Sequence, residues 1–220
     1  MILCIQDVLN ARQVQNACQM LNDVAWIDGR KTAGWHAKLV KNNRQADGAS
    51  PRVGSLRTDL LDHIKAHEVF RLAARPRSMS PLLLSRYDKG MGYGMHVDDA
   101  LMEGLRTDIS FTLFLSDPET YEGGDLTMST TAGEQSFKLP AGSLILYPST
   151  TLHRVEEVTG GVRLAAVGWV QSYIRDAACR EILFDLETAR LALFQREGKT
   201  PEFDLMSKSA ANLLRLWAET

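Results

Sequence analysis

The middle of the chain, from Met79 to Val170, is divided into short apolar runs by turns that contain glycine or proline. Runs this short, enriched in β-branched and aromatic residues, are typical of strands and too short for most helices. Many strands at such close spacing predict a β-sandwich or barrel, for example a double-stranded β-helix. The predicted strands are Leu82–Tyr87, Ser110–Leu115, Asp125–Met128, Ser136–Lys138, Ser143–Tyr147 and Leu164–Val170.

The part of the chain before this β-rich middle predicts a short strand followed by helices. Met1–Ile5 is a candidate strand, and apolar residues recur at helical spacing in Val8–Val24 and in Val53–Ala74. Between the two predicted helices, Lys41–Ser50 is polar and contains Asp47 and Gly48. The sequence therefore predicts a loop over Lys41–Ser50.

The C-terminal part of the chain returns to helical periodicity. A break from Gly198 to Pro201 separates two predicted helices. Each helix carries an apolar stripe that must be covered by the β core or by a second subunit, so a homo-oligomer formed through the helices is one expectation. The stripes consist of Leu183, Leu186, Leu193 and Phe194 in the first helix, and of Met206, Ala210, Leu213, Leu214 and Trp217 in the second.

Together these patterns predict an α+β fold in three parts. A chain of 220 residues is long enough for one full core with flanking pieces. We expect residues 1–78 to form an N-terminal support region and residues 79–171 to form a double-stranded β-helix (jelly-roll) core. Residues 172–220 are expected to form a C-terminal helical extension.

Composition and charge narrow the function classes. The chain is 45% hydrophobic and 24% charged with a net charge of -2, which is ordinary for a globular protein and argues against a general nucleic-acid binder. Its three cysteines are far apart, which argues against a disulfide framework or a zinc knuckle. The N-terminus lacks the features of a secretory signal, and no apolar run is long enough to span a membrane. We expect a cytoplasmic protein.

His96 and Asp98 form the first element of a candidate metal site. On a strand, residues two positions apart point to the same face, so the imidazole and the carboxylate can meet one metal ion. Such a pair arises often by chance and is weak when it stands alone.

His153 strengthens the metal hypothesis. It follows an apolar segment, and in a two-sheet barrel a late strand can return beside an early one. Two histidines and one carboxylate on one face of an octahedral ion leave the opposite positions open, as in non-haem iron(II) oxygenases. A structural zinc site would need a fourth protein ligand, and no cysteine is placed to supply one. The alternative is that His153 is an ordinary core histidine.

Arg163 is the one charge in the otherwise apolar stretch Gly160–Val170, just before the predicted strand Leu164–Val170. A cation that points into a barrel is costly unless an anion meets it. The anion is either a protein carboxylate or the far carboxylate of an organic acid such as 2-oxoglutarate, which a guanidinium can grip with two hydrogen bonds. Trp169 is predicted to face the same side of the strand, and the Tyr87 hydroxyl is a candidate donor to the same acid.

This set of residues resembles the prolyl-hydroxylase-like branch of the iron(II)/2-oxoglutarate oxygenases over residues 79–171. The whole chain resembles the bacterial PKHD-type hydroxylases, and Arg106–Ser110, Leu113–Pro118 and the helical tail add to that match. The motifs that carry the resemblance are Tyr87-Asp88-Lys89-Gly90, Tyr93, His96-Val97-Asp98, Glu122-Gly123-Gly124-Asp125-Leu126, His153 and Arg163.

The resemblance implies Fe(II) on His96, Asp98 and His153, and 2-oxoglutarate that chelates the metal and reaches Arg163. It also implies O2 as co-substrate, L-ascorbate as the auxiliary cofactor that keeps the iron reduced, and succinate and CO2 as co-products. Prolyl hydroxylases often carry tyrosine where this chain has Phe114, so Thr112 or Ser110 is a candidate replacement donor to the 2-oxoglutarate tail. The expected pocket wall consists of Tyr93, Thr112, Phe114, Leu126 and Trp169.

The resemblance leaves the substrate open, because fold and cofactor do not fix the target. A protein side chain, a free amino acid and a siderophore-like small molecule all remain; the resembling family is associated with bacterial iron uptake, but no residue here indicates that. One competing function is a cupin-like metalloenzyme of another class, whose site would usually hold more histidines. The other is a non-catalytic metal- and 2-oxoglutarate-binding sensor, which a missing ligand would indicate.

Overall fold

The computed structural model describes residues 1–219. Its helices are α1 (Ala11–Asn22), α2 (Pro51–Ala66), α3 (Glu68–Ala74), α4 (Ala177–Glu197) and α5 (Pro201–Trp217), with short 3-10 helices at Gly29–Thr32, Ala37–Leu39 and Pro118–Thr120. Its strands are β1 (Leu3–Ile5), β2 (Trp26–Asp28), β3 (Lys41–Asn42), β4 (Arg44–Ala46), β5 (Pro76–Met79), β6 (Leu83–Tyr87), β7 (Gly92–His96), β8 (Leu101–Met102), β9 (Leu105–Arg106), β10 (Ile109–Phe114), β11 (Tyr121–Gly123), β12 (Leu126–Thr130), β13 (Gly133–Phe137), β14 (Leu144–Pro148), β15 (His153–Val155), β16 (Val158–Gly161) and β17 (Arg163–Ser172).

Two antiparallel sheets face each other to form the core. The larger sheet has the order β1-β14-β10-β17-β6-β4-β2, with β5 paired to β17, and the smaller sheet has the order β13-β12-β15-β7-β3. One apolar cluster contains residues of both sheets, among them Phe114 and Ile145 of the larger sheet and Leu126 and Met128 of the smaller. The predicted α+β fold with a jelly-roll core is therefore confirmed, and strands from before residue 79 are hydrogen-bonded into both sheets.

Strand β10 packs against the helices with one face and lines the inside of the barrel with the other. All its residues are buried, because helices cover one face of the sheet and the smaller sheet covers the other. Phe111 and Leu113 belong to the cluster that contains the apolar residues of α1, α2 and α3. Since neighbouring strand residues alternate between faces, Ser110 and Thr112 point toward the inside of the barrel.

Two predictions for the first part of the chain were wrong. Lys41–Ser50 is not a loop throughout, because it contains β3 and β4, in which the polar residues Lys41 and Gln45 are buried. Val53–Ala74 is not one helix but belongs to two, since His67 has an extended backbone (φ -70°, ψ 120°) between α2 and α3. The break lets each helix turn its own apolar face to the sheet, with Ile64 on one side and Phe70 on the other.

The C-terminal helices α4 and α5 pack against each other and, through α4, against α3. Gly198 ends α4 in a left-handed conformation (φ 73°), and Thr200 and Pro201 begin α5, so the predicted break is confirmed. Phe194 and Phe203 meet between the two helices with ring centroids 5.0 Å apart. In the described part of the chain, none of the helices has both the length and the apolar character needed to span a membrane.

Candidate metal centre

His96, Asp98 and His153 converge at one end of the cavity between the two sheets. Strands β7 and β15 are neighbours, and their register pairs His153 with His96, so the imidazole ring centroids are 4.3 Å apart. Asp98 follows β7, and its Oδ1 lies 3.9 Å from Nε2 of His96 while its Oδ2 lies 3.9 Å from Nε2 of His153. One donor atom from each residue lies within 4.8 Å of the other two, which is a separation that one metal ion can bridge.

Backbone carbonyl groups orient both imidazole rings. The Nδ1 of His96 lies 2.8 Å from the carbonyl oxygen of Gly94, and the Nδ1 of His153 lies 3.0 Å from that of Thr151. A carbonyl only accepts hydrogen bonds, so each Nδ1 carries the proton. Each Nε2 therefore presents a lone pair toward Asp98, which is the tautomer that a metal ligand needs.

The Asp98 carboxylate is oriented by a chain of two serines. Ser110 Oγ donates to Asp98 Oδ2 at 2.5 Å, and Ser110 and Ser149 are hydrogen-bonded at 2.8 Å. Ser110 is completely buried. The idea that Ser110 replaces the missing tyrosine at the 2-oxoglutarate tail is therefore wrong, because this hydroxyl belongs to the metal end of the cavity.

Burial and the neighbouring charges keep His96 uncharged at neutral pH. Desolvation is the main cause that lowers the pKa of His96, and the nearby His153 lowers it further, against the opposing effects of the Gly94 carbonyl and Asp98. Tyr93 stacks on the His96 ring at a centroid distance of 3.6 Å and an interplanar angle of 15°. A neutral imidazole held in this way is ready to bind a cation.

Arg163 is a buried cation that pairs in register with Tyr87, a residue of the cavity lining, and is not itself part of that lining. It is 1% exposed, and its guanidinium carbon lies 5.1 Å from the Tyr87 ring centroid and 5.5 Å from that of Phe114. Within residues 1–219 its Nε and Nη2 have no hydrogen-bond partner, and no carboxylate lies within ion-pair distance. The internal ion pair that the sequence left open is therefore absent from the described chain. An unpartnered guanidinium fits a carboxylate supplied by a ligand.

The other predicted pocket residues take different positions around the cavity. Tyr87, Tyr93, Thr112, Leu126 and Trp169 line it, whereas Phe114 packs against the Arg163 guanidinium and is not part of the lining. Burial raises the pKa of Tyr87, and Arg163 opposes that rise, so the phenol keeps its proton and remains a donor. Trp169 pairs with Ser110 across β17 and β10, which places the indole near the metal end.

The sequence reasoning missed the wall supplied by β3 and β4. Lys41, Asn43 and Gln45 all line the cavity and are all buried. Lys41 Nζ lies 3.0 Å from Thr32 Oγ1 and 4.9 Å from the Tyr93 ring centroid, and burial lowers the pKa of this amine to about 8. These residues could have been found from their spacing: Lys41, Asn43 and Gln45 are two positions apart and therefore share one face of an extended segment.

Because Ser110 holds the Asp98 carboxylate, Ser110→Ala is expected to weaken Fe(II) binding. Losing a hydrogen bond that orients a metal ligand costs roughly 10- to 100-fold in metal affinity. Anaerobic competition titration against a coloured Fe(II) chelator measures the effect. Ser149→Ala is the graded comparison: it removes a bond to Ser110 and leaves the bond to Asp98, so it should weaken Fe(II) binding less than Ser110→Ala does. Wild-type affinity in Ser110→Ala would show that the serine does not orient the ligand.

Family and sequence comparisons cover both the barrel and the whole chain. The model of the 2OG-Fe(II) oxygenase superfamily matches residues 82–171. A "PKHD-type hydroxylase" of a Synechococcus strain is 54% identical over 100% of both chains. Relatives with the same designation from Acaryochloris marina and a Picosynechococcus strain are 54% and 52% identical, again over 100% of both chains.

Solved structures with low sequence identity share the fold. A prolyl-4-hydroxylase from Pseudomonas putida superposes with a TM-score of 0.54 at 20% identity, covering 78% of this chain and 92% of that one. HygX from Streptomyces hygroscopicus, solved with nickel and 2-oxoglutarate bound, gives a TM-score of 0.56 at 16% identity, covering 79% and 84%. At these identities the likeness shows a common jelly-roll architecture.

Proposed function

Because the chain belongs to the PKHD-type hydroxylases of the 2OG-Fe(II) oxygenase superfamily, we propose that His96, Asp98 and His153 hold its iron and that Arg163 holds its 2-oxoglutarate. The protein is an iron(II)- and 2-oxoglutarate-dependent hydroxylase, and the residue assignments are the proposal. One observation carries them: three donor atoms within 4.8 Å of one another line a cavity, and Tyr87 of the same lining pairs with Arg163, whose buried guanidinium has no partner within residues 1–219.

When bound, iron and 2-oxoglutarate supply the oxidising chemistry, in which O2 and 2-oxoglutarate are converted to succinate and CO2 while a C–H bond becomes C–OH. The chain's own residues prepare this site. His96 and His153 each offer an imidazole nitrogen, and Asp98 offers the carboxylate oxygen of the ligand set. Arg163 and the Tyr87 hydroxyl bind the distal carboxylate of the acid, while apolar walls such as Leu126 exclude water.

We place the substrate entrance between two segments that border the metal end of the cavity. One contains the 3-10 helices near Thr32 and Ala37, and the other contains the β8–β9 hairpin with Met102. Apolar side chains project outward beside this entrance, including Trp35 and Leu101, which are 78% and 68% exposed. Such a rim suits a substrate larger than the cavity itself. The choice among a protein side chain, an amino acid and a siderophore-like molecule rests with a substrate screen.

The function is tested by binding first and turnover second. We expect the anaerobic Fe(II)-loaded protein to bind 2-oxoglutarate, and admission of O2 to yield succinate, measured by mass spectrometry. A candidate substrate should raise the succinate yield and gain one oxygen atom. Chelation of the metal and exclusion of O2 are the controls.

Two results would contradict the assignment in different ways. O2 consumption without any need for 2-oxoglutarate would favour a cupin-like enzyme of another class. A sensor would be favoured if the protein binds 2-oxoglutarate but forms no succinate, either without an added substrate or with any of the substrates screened.

A further inference from the structure

We propose that Asn43 is a further hydrogen-bond donor to the distal carboxylate of 2-oxoglutarate, acting together with Arg163 and Tyr87. This inference rests on the proposed function, because it concerns the same acid in the same cavity. Asn43 lies outside the range matched by the superfamily model, residues 82–171. Asn43 would therefore be a ligand-binding residue that the N-terminal part of the chain contributes to the barrel.

Strand register puts Asn43 in line with Arg163. Strands β4 and β6 are antiparallel, with Arg44 opposite Arg86 and Gln45 opposite Ser85. Continuing that register by one residue places Asn43 beside Tyr87, which pairs with Arg163 on β17. Residues in register across neighbouring strands point to the same face, so the three side chains form one row across the sheet. The Asn43 amide is near enough to Tyr87 to oppose, with Arg163, the burial-driven rise in the pKa of the phenol.

The Asn43 amide is buried without a partner. It is 4% exposed, and neither Oδ1 nor Nδ2 has a hydrogen-bond partner within residues 1–219. Burial of an unsatisfied amide is unfavourable, and native structures seldom retain one unless a ligand or water completes it. Arg163 shows the same deficit in the same row, at Nε and Nη2. Asn43 and Arg163 stand on either side of Tyr87 in this row and both lack acceptors, which indicates that one anionic acceptor serves the row.

Gly29 leaves space for this amide. A Cβ at Gly29 would lie 1.8 Å from Asn43 Oδ1, so any side chain there would displace the amide. The Gly29 N–H also donates to the Asn43 carbonyl oxygen at 2.9 Å, which fixes the backbone of that residue. With Oδ1 packed against Gly29, the Nδ2 group is the end that remains to donate toward the cavity.

The chemistry of a carboxylate explains why a further donor is useful. Its two oxygens accept about four hydrogen bonds, more than one guanidinium satisfies. Phe114 contacts the guanidinium but offers no hydroxyl, and Ser110 is bound to Asp98. Asn43 adds an N–H donor without adding charge, which keeps the electrostatic balance between Arg163 and the acid.

The test compares two acids and two neighbouring asparagines by anaerobic calorimetric titration of the Fe(II)-loaded protein. The acids are 2-oxoglutarate and 2-oxopentanoate, which keeps the keto-acid end and carries a methyl group in place of the distal carboxylate. Asn43→Ala should weaken 2-oxoglutarate binding roughly 10- to 150-fold, the range for one hydrogen bond to a charged group. It should leave 2-oxopentanoate binding unchanged. Asn42→Ala is the matched control, because Asn42 is exposed and its amide bonds the Gly90 carbonyl.

Asn43→Asp provides a variant of nearly equal volume. Its carboxylate faces the acid, so 2-oxoglutarate binding should fall further than in Asn43→Ala, while thermal unfolding without ligand shows that the fold is kept. Unchanged 2-oxoglutarate affinity in Asn43→Ala, or an equal loss for both acids, would overturn the inference. Failure of the wild-type protein to bind either acid would instead overturn the proposed function, so the two failures are distinguishable.

Discussion

Replacing Asp98 by alanine is expected to reduce iron-dependent succinate formation to background. Asp98 is the only anionic member of the ligand set, and its carboxylate lies 3.9 Å from both imidazole Nε2 atoms. Two imidazoles without a carboxylate bind Fe(II) weakly, because no anionic ligand offsets its charge and the two no longer define one face of an octahedron. The loss should appear both as weaker Fe(II) binding in anaerobic titration and as absent succinate by mass spectrometry. His96→Ala is expected to have the same effect.

The control for Asp98→Ala is the same substitution on the surface. Asp62→Ala removes an exposed carboxylate of α2 and should retain Fe(II) affinity and succinate yield. Thermal unfolding of the metal-free Asp98→Ala protein checks that the barrel persists. Full succinate production by Asp98→Ala would remove this residue from the ligand set, and with it the site as described.

The strands of the barrel could be predicted because their apolar residues alternate or run without interruption. Ile109–Phe114 is an example, since Phe111 and Leu113 point to the helices and mark the strand in the sequence. The pairing of His153 with His96 could not be derived in the same way. It depends on which distant strands become neighbours, and local patterns do not contain that information. The resemblance to known oxygenases supplied it.

The segment Lys41–Ala46 was missed because its buried face is polar. Lys41, Asn43 and Gln45 alternate with exposed residues as in any strand, but the buried members are the hydrophilic ones. Hydrophobic periodicity detects strands that face an apolar core. It fails where the inward face lines a cavity that binds polar ligands, and such exceptions concentrate at functional sites.

The role of Ser110 was also beyond reach from the sequence. The alternation of β10 predicts that Ser110 and Thr112 share a face, but not which end of the cavity each residue reaches. The structure places Ser110 against Asp98 and leaves Thr112 on the cavity wall. Which end of the cavity a strand residue reaches is set by the register of its strand with the neighbouring strands. Here Ser110 lies opposite Trp169 on β17 and Tyr147 on β14.

Arg163→Met is expected to abolish the gain in thermal stability that 2-oxoglutarate gives to the Fe(II)-loaded protein. Methionine fills similar space without charge, so the two donors Nε and Nη2 are lost while the barrel keeps its packing. One hydrogen bond to a charged group contributes about 1.5–3 kcal/mol, so the dissociation constant of 2-oxoglutarate should rise roughly 10- to 150-fold for each bond lost. Anaerobic calorimetric titration measures it. Arg86→Ala, on β6 but outside the cavity lining, is the control.

The stability of the Arg163→Met protein without ligand separates the two roles that an inward-pointing arginine can have. If the guanidinium were half of an internal ion pair, its removal would leave a buried charge unpaired and lower the midpoint of thermal unfolding. If the guanidinium instead binds a ligand, it is the unpaired buried charge of the ligand-free protein. Replacing it by an apolar side chain should then leave that midpoint unchanged or raise it. If Arg163 binds the ligand, we therefore expect an Arg163→Met protein that is at least as stable as the wild type and is not stabilised by 2-oxoglutarate. A less stable variant that still binds 2-oxoglutarate with wild-type affinity would exclude Arg163 as a ligand-binding residue.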